Sequence, residues 1–164
     1  MKLKSRSVIF FLTCTSLLLL LGLNVALANS NNSNKVLLVE VNGEITKATK
    51  LMFEDSLKMA RALDARLAIF VENTPGGEAG TVQEIMTLLE NSETPTCTFV
   101  YPSGATAWSG GTYILMASHI AAMAPGTTIG SCQPISPLGP INYSKYVNAY
   151  KKLMINHAKL HCRN

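Results

Sequence analysis

The stretch RLAIFVENTPGGEAG, residues 66–80, passes from an apolar run through a glycine-rich loop into a helical pattern. The run at residues 66–72 predicts a strand, and TPGG predicts a loop because proline and glycine interrupt regular structure. Beyond the loop, apolar side chains recur at the i, i+3, i+4 and i+7 spacing of one helix face, at Val82, Ile85, Met86 and Leu89. These residues therefore predict a strand, a loop and an amphipathic helix in succession.

The same alternation continues along the chain on both sides of this unit. Further strands are predicted at residues 35–41, 96–102 and 120–123, and further helices at residues 45–63, 109–118 and from about residue 143. Apolar strands joined by helices are typical of a parallel sheet with right-handed crossovers. The sequence therefore predicts an α/β fold with a mainly parallel sheet.

Two loops that follow predicted strands carry the unusual chemistry of the chain. They are TPGGE, residues 74–78, and SGATAWSGG, residues 103–111. In parallel sheets, binding sites form beyond the carboxyl ends of the strands, where such loops meet. We therefore expect the functional site to lie between these two loops.

Ser109 stands at the predicted start of a helix, and two readings of it are open. Unpaired N–H groups and the helix dipole would stabilise an alkoxide or an oxyanion there, with Gly110 as one donor and Gly76 or Gly77 as the other. Ser109 would then be a nucleophile beside an oxyanion hole. In the second reading Ser109 only caps its helix, and the two loop glycines only make a turn.

A nucleophilic serine also needs a base. His119 lies ten residues along the same predicted helix, about 15 Å away and about 280° round the axis, so it is not expected to reach Ser109. His157 and His161 lie on the last helix, where a lone histidine is more often a surface residue. A neutral lysine can serve instead, as in serine–lysine dyads. The lysines that follow the serine are Lys145, Lys151, Lys152 and Lys159.

The first 28 residues have the composition of a targeting segment. A basic start is followed by a mostly apolar stretch and by the small-residue site Ala26-Leu27-Ala28. We expect cleavage near Asn29, with an uncleaved membrane anchor as the alternative, and export in either case. The polar residues 29–34 read as a linker, which leaves residues 35–164 as one domain.

Charge and cysteine content argue against several classes of partner. Without the targeting segment, 11 of the 14 basic residues remain against 10 acidic residues. The basic pI therefore comes largely from that segment and does not predict a nucleic-acid partner. Cys97, Cys132 and Cys162 are an odd number of cysteines at wide spacing, which favours neither a disulfide framework nor a metal site. We expect no metal and no cofactor.

Several motifs occur in order along the chain: TPGGEAG at 74–80, YPSGATAWSGGTYI at 101–114, ASHIAAMAPGTTIGSCQP at 117–134 and AYKKL at 149–153. Together they resemble the N-terminal domain of the membrane-bound serine proteases of the ClpP class, the NfeD family or stomatin-operon partner proteins. The resemblance covers residues 36–164. It implies a crotonase-like spiral of ββα units and a serine endopeptidase that cleaves hydrophobic segments of membrane proteins with a serine–lysine dyad. It also implies a homo-oligomer, with a stomatin-like membrane protein as a possible partner.

Carried over residue by residue, the resemblance assigns the nucleophile to Ser109. It assigns the oxyanion donors to the N–H groups of Gly77 and Gly110. Residues expected to contact the substrate are Gly76, Thr106 and Trp108.

The family lysine is the point at which this chain departs from the pattern. Counting back about two turns from Ala149-Tyr150 puts Asn142 at its position, and asparagine cannot act as the base. Lys145 follows three residues later, and we predict that its long side chain takes over this role.

Two other interpretations stay open. If no lysine replaces Asn142, the chain is a catalytically inactive ClpP-like module that binds peptides or stomatin-like partners. The chain is alternatively a truncated fragment, because other family members continue beyond the equivalent of residues 162–164. A crotonase-type acyl-CoA enzyme would share the fold, but export away from CoA argues against it.

Overall fold

The computed structural model describes residues 34–136 and 139–163. The chain divides into two units, residues 1–33 and residues 34–164, and the predicted targeting segment lies outside the described residues. The helices are α1 (Lys47–Ala62), α2 (Ala79–Glu90), α3 (Gly110–Ala117) and α4 (Ser144–Leu160). The strands are β1 (Val36–Asn42), β2 (Leu67–Asn73), β3 (Thr96–Val100), β4 (Thr106–Trp108), β5 (Ile120–Met123), β6 (Thr128–Gly130), β7 (Ile135–Ser136) and β8 (Gly139–Pro140).

A four-stranded parallel sheet in the order β1-β2-β3-β5 forms the centre of the described unit. Strands β4 and β6 make a separate parallel pair, and β7 and β8 make a short antiparallel pair. Because each strand of the main sheet is joined to the next by a segment that contains a helix, the strands can run parallel. The predicted α/β fold with a mainly parallel sheet is confirmed.

The main core lies between this sheet and the helices. Phe53 of α1 stacks on Phe70 of β2 with ring centroids 4.2 Å apart, and both side chains are fully buried. Burying one such side chain contributes about 1.5–3 kcal/mol. The predicted apolar stripe of α2 is also part of this core, since Val82, Ile85, Met86 and Leu89 are all buried. The side chains of β2 alternate accordingly, and Ala68, Phe70 and Glu72 are the buried set.

Some local structure differs from the sequence prediction. Residues 106–108 and 128–130 were expected in loops, but they pair as β4 and β6, with Thr106 opposite Thr128. The expectation that His157 is a surface residue is wrong: its side chain is buried, and its Nδ1 contacts Glu90 Oε1. His119 is held by Thr96, whose hydroxyl lies 2.8 Å from His119 Nδ1, in agreement with a structural role.

Candidate active site

The two glycine-containing loops pair directly beyond the carboxyl ends of the strands. Thr74 N donates to Thr106 O over 2.7 Å, and Trp108 N donates to Thr74 O over 3.0 Å. The Thr106 hydroxyl also donates to Thr74 O, at 3.1 Å. This short ladder connects TPGGE to β4, so the loops lie together as expected from the topology of parallel sheets.

Ser109 occupies a strained turn between β4 and α3. Its φ and ψ are 48° and −112°, a sparsely populated combination for any residue other than glycine. A hydrogen bond of 2.7 Å from Ser109 N to Gly130 O helps to hold this geometry. Ser109 stands at the N-cap position of α3, but its hydroxyl makes no capping hydrogen bond. The helix-cap reading of Ser109 is therefore wrong.

Gly76 and Gly110 allow the two loops to approach each other closely at Ser109. A Cβ added at Gly76, whose φ is +104°, would lie 2.8 Å from Ser109 Cβ and 3.0 Å from Gly110 N. A Cβ added at Gly110 would lie 3.4 Å from Gly77 N. The N–H groups of Gly77 and Gly110 are thus brought to one place beside Ser109.

Both of these N–H groups are free of protein acceptors within the described residues. Around Gly77, Ile45 N donates to Gly76 O at 2.8 Å and Glu78 N donates to Ile45 O at 3.2 Å. These bonds bracket Gly77 and leave its own N–H unused. Gly110 begins α3, where the first N–H groups of a helix have no partner within the helix. Two unpaired donors beside a serine hydroxyl are the arrangement that stabilises an oxyanion.

A cavity of about 230 Å³ opens in front of these groups. Ser109, Gly77 and Gly110 line one part of it, and much of the remaining wall is apolar. The apolar wall residues include Val82, Met86, Ile135, Ile141 and Leu153. The cavity therefore has a mainly apolar wall next to Ser109.

A second groove, of about 630 Å³, lies between α3 and α4. It shares Tyr113, Cys132, Pro134 and Tyr150 with the cavity that contains Ser109. Burial raises the pKa of Tyr113 to about 12, so this phenol keeps its proton and can donate a hydrogen bond. Burial also raises the pKa of the Cys132 thiol, which lies 3.9 Å from the Ser109 carbonyl oxygen.

The remaining predicted site residues lie around this centre and not within the cavity wall. Lys145, the second residue of α4, is exposed and is not among the residues that line the cavity. Asn142 Oδ1 accepts a hydrogen bond of 2.7 Å from Gln133 Nε2. Trp108 is 42% exposed and donates from Nε1 to Thr128 Oγ1, while Thr106 contacts Thr74. Their functional roles stay predictions.

Glu72 lies beneath the site and was not predicted from the sequence. This residue is fully buried, and neither carboxyl oxygen has a hydrogen-bond partner within the described residues. Desolvation raises its pKa well above the usual range of a glutamate. The signal available in the sequence was an acidic residue within an apolar strand, immediately before the TPGG loop.

Comparison with known proteins decides the family. Residues 35–164 match the family model described as NfeD1b, N-terminal domain. The chain belongs to this family. Over 102 residues it is 41% identical to the membrane-bound protease PH1510 of Pyrococcus horikoshii, in an alignment that covers 62% of this chain and 23% of that protein. The chain thus matches about a quarter of the length of this curated relative.

Solved structures support the same assignment for the NfeD1b domain. A serine-to-alanine mutant described as 1510-N membrane-bound stomatin-specific protease matches with a TM-score of 0.75 and 34% identity, over 80% of this chain and 66% of that chain. A lysine-to-alanine mutant of 1510-N, in complex with a substrate peptide, matches with a TM-score of 0.68 and 38% identity, over 74% of this chain and 60% of that chain. The predicted ClpP-like fold is therefore confirmed.

A third solved structure, described as a membrane protease specific for a stomatin homolog from Pyrococcus horikoshii, has a TM-score of 0.67 and 36% identity. The match covers 80% of this chain and 60% of that chain. Within the part of the NfeD1b chain that the structure describes, no helix is long and apolar enough to cross a bilayer.

Proposed function

We propose that this chain is a serine endopeptidase in which Ser109 is the nucleophile and the N–H groups of Gly77 and Gly110 bind the oxyanion. The observation that carries the proposal is the strained Ser109 turn beside two unpaired donors. A strained strand-to-helix turn exposes a serine hydroxyl in other hydrolases, and backbone strain of this kind concentrates at active sites. The relatives that this chain resembles are described as proteases.

The proposed reaction is acyl transfer in two steps. Ser109 Oγ attacks the carbonyl carbon of the peptide bond while a base removes its proton, and the negative charge that develops on the carbonyl oxygen is stabilised by the two N–H groups. The proton passes to the leaving amine, and the C–N bond breaks to give an ester on Ser109. Water then hydrolyses the ester and releases the acid. These steps require a serine, a base and backbone donors, and we propose no cofactor.

We propose Lys145 as the base. Ile141, four residues before Lys145, and Tyr150, five residues after it, both line the cavity that holds Ser109. Residues on both sides of Lys145 therefore border the site. We choose Lys145 because it follows Asn142, the position of the family lysine, by three residues.

The apolar cavity wall supports hydrophobic segments of membrane proteins as the substrate class. A stomatin-like membrane protein is the proposed substrate or partner, in line with the descriptions of the related structures. We further propose export and membrane association, on the composition of residues 1–28, and a homo-oligomeric working form. Exposed apolar side chains on both edge strands of the main sheet support self-association, namely Val36, Leu38, Ile120 and Met123.

A second function is favoured by the composition of the cavity wall. Its described residues include no lysine and no histidine, and Asn142 stands where the family pattern has lysine. An NfeD1b domain that binds apolar peptides without cleaving them would show these features.

Covalent labelling with a fluorophosphonate probe, followed by peptide mass mapping, separates these functions. The probe should modify Ser109 in the wild type, and Ser109→Ala should abolish labelling. Lys145→Ala should reduce labelling strongly, whereas Lys152→Ala, which changes an exposed lysine on the same helix, should leave it unchanged.

The other outcomes are equally informative. Labelling that survives Lys145→Ala would reject Lys145 as the base and keep Ser109 as the nucleophile. A folded wild type that does not label would reject the peptidase and favour the binding module. Trp108 is the single tryptophan of the chain, so its fluorescence can report the binding of an apolar peptide in that case.

A further inference from the structure

Glu72 combines complete burial with a carboxyl group that has no partner. It is the second-last residue of β2, has 0% exposure and belongs to the set of β2 side chains that face the core. Neither oxygen forms a hydrogen bond with any described residue. Burying an unpaired polar group is costly, and burying an unpaired charge costs far more. Burial without a partner therefore raises the pKa of this carboxyl and favours its protonated, uncharged form.

The carboxyl lies directly under the first turn of α3. A Cβ added at Gly111 would be 3.1 Å from Glu72 Oε1, so the oxygen lies against the backbone two residues after Ser109. The same position would be 2.5 Å from Thr74 Cγ2 and 3.3 Å from Ala107 Cβ. Glu72 thus contacts the region where both glycine-containing loops meet.

No charged side chain near Glu72 balances an ionised form within the described residues. Its register partners are Val41 on β1 and Val100 on β3. The Thr74 hydroxyl is engaged with Gly43 O at 2.6 Å. Within the described residues, no titratable or charged side chain on β1, β3, the TPGGE loop or α3 affects Glu72, and burial is the one cause of its raised pKa.

We propose that Glu72 is a positioning residue, whose uncharged carboxyl supports the first turn of α3 and keeps the Ser109 turn and its two N–H donors in place for reaction. An ionised Glu72 would put a negative charge at the positive end of α3. The carboxylate would compete with the substrate oxyanion for that end of the helix, and would draw water or the Gly111 backbone toward itself. The inference rests on the proposed function, because it concerns the competence of Ser109.

The first test is the pH profile of the fluorophosphonate labelling rate of Ser109, from about pH 5 to about pH 10. As Glu72 ionises, the wild-type rate should fall on the order of tenfold relative to the rate of Glu72→Gln, which stays uncharged. Glu40→Gln, which changes an exposed carboxyl on β1, should follow the wild type. Circular dichroism at each pH restricts the comparison to folded protein. Parallel pH profiles in the wild type and in Glu72→Gln would overturn the proposal.

The second test does not depend on activity. In ¹⁵N NMR spectra, the Gly110 and Gly111 amide resonances should move across the Glu72 titration in the wild type and stay constant in Glu72→Gln. Constant resonances in the wild type would overturn the proposal whatever the labelling shows. If Ser109 labels at no pH while these amides titrate with Glu72, the proposed peptidase function fails, but the control of the α3 turn by Glu72 stands.

Discussion

Replacing Ser109 by glycine and by alanine measures the strain in the proposed nucleophile turn. The Ser109 hydroxyl makes no capping hydrogen bond, so Ser109→Ala removes little stabilisation and keeps the unfavourable φ of 48°. Ser109→Gly also removes the hydroxyl, but glycine adopts positive φ without steric cost. The two variants therefore differ mainly in backbone strain.

The magnitude follows from two opposing terms. A residue held in such a conformation stores about 1–3 kcal/mol, which glycine releases. Glycine loses about 0.5–1 kcal/mol more than alanine in backbone entropy on folding. The difference lies between about 0 and 2.5 kcal/mol, and from the midpoints we expect the free energy of unfolding of Ser109→Gly to be about 1.3 kcal/mol higher than that of Ser109→Ala, equivalent to a rise in Tm of about 5 °C.

Urea denaturation followed by circular dichroism is the assay. Ser103 is the matched control, because it lies in the same loop, is exposed and does not have a positive φ. Ser103→Gly should be less stable than Ser103→Ala, by about 0.5–1 kcal/mol. If Ser109→Gly is no more stable than Ser109→Ala, the Ser109 turn stores no strain and the prediction is wrong.

Three further predictions concern stability and use the same denaturation assay. Because burial raises the folded-state pKa of Glu72, the contribution of Glu72 to stability is largest below about pH 4.3 and is lost as pH rises through the folded pKa. Glu72→Gln removes this loss and should gain about 1.4 kcal/mol per pH unit relative to the wild type over that window, and parallel curves would contradict the assignment. Gly77→Ala should cost more than about 3 kcal/mol, because its Cβ would lie 2.1 Å from the backbone oxygen of Ile45. Gly80→Ala, with open space around its Cβ on α2, should gain about 0.5–1 kcal/mol, and equal effects would reject the close packing of Gly77 against Ile45. Arg163→Met should lower the free energy of unfolding by about 2–4 kcal/mol, because the guanidinium donates to three carbonyls at the end of α3. Arg66→Met, at an exposed arginine, should change it little. A cost below about 1 kcal/mol for Arg163→Met would show that these hydrogen bonds contribute no net stability.

Local periodicity predicted most of the main sheet and its helices. The strand expected at residues 66–72 is found at Leu67–Asn73, and the strand expected at residues 120–123 is found there. The apolar stripe of α2 is buried as expected. These features depend on neighbouring residues along one strand or one helix face, so the order of residue types contains enough information to predict them.

Strands β4 and β6 could not be predicted in this way. Each has three residues, which is too short for a period, and each exists because it pairs with a partner 22 positions away along the chain. The burial of His157 could not be predicted from local sequence either, because it depends on the contact with Glu90 of α2.

The candidate site also has features that the sequence predicts and features that depend on folding. Ser109 and the loop glycines could be selected from the sequence, because serine beside glycine at a helix start suits an oxyanion site. Their roles, and that of Lys145, remain predictions. The sequence could not distinguish a capping serine from a strained one, because the φ of Ser109 depends on Gly130 and on the close approach of Gly76.

For this protein, the order of residues by itself determined the α/β alternation, the two loops that carry the site chemistry and the membership of the NfeD1b family. Tertiary structure alone decided that two N–H groups from separate loops meet beside Ser109, and that Glu72 is buried without a partner beneath them. The physical reason is that strand and helix patterns arise from neighbours in sequence. The environment of a hydroxyl, an amide or a carboxyl arises from segments that only folding brings together.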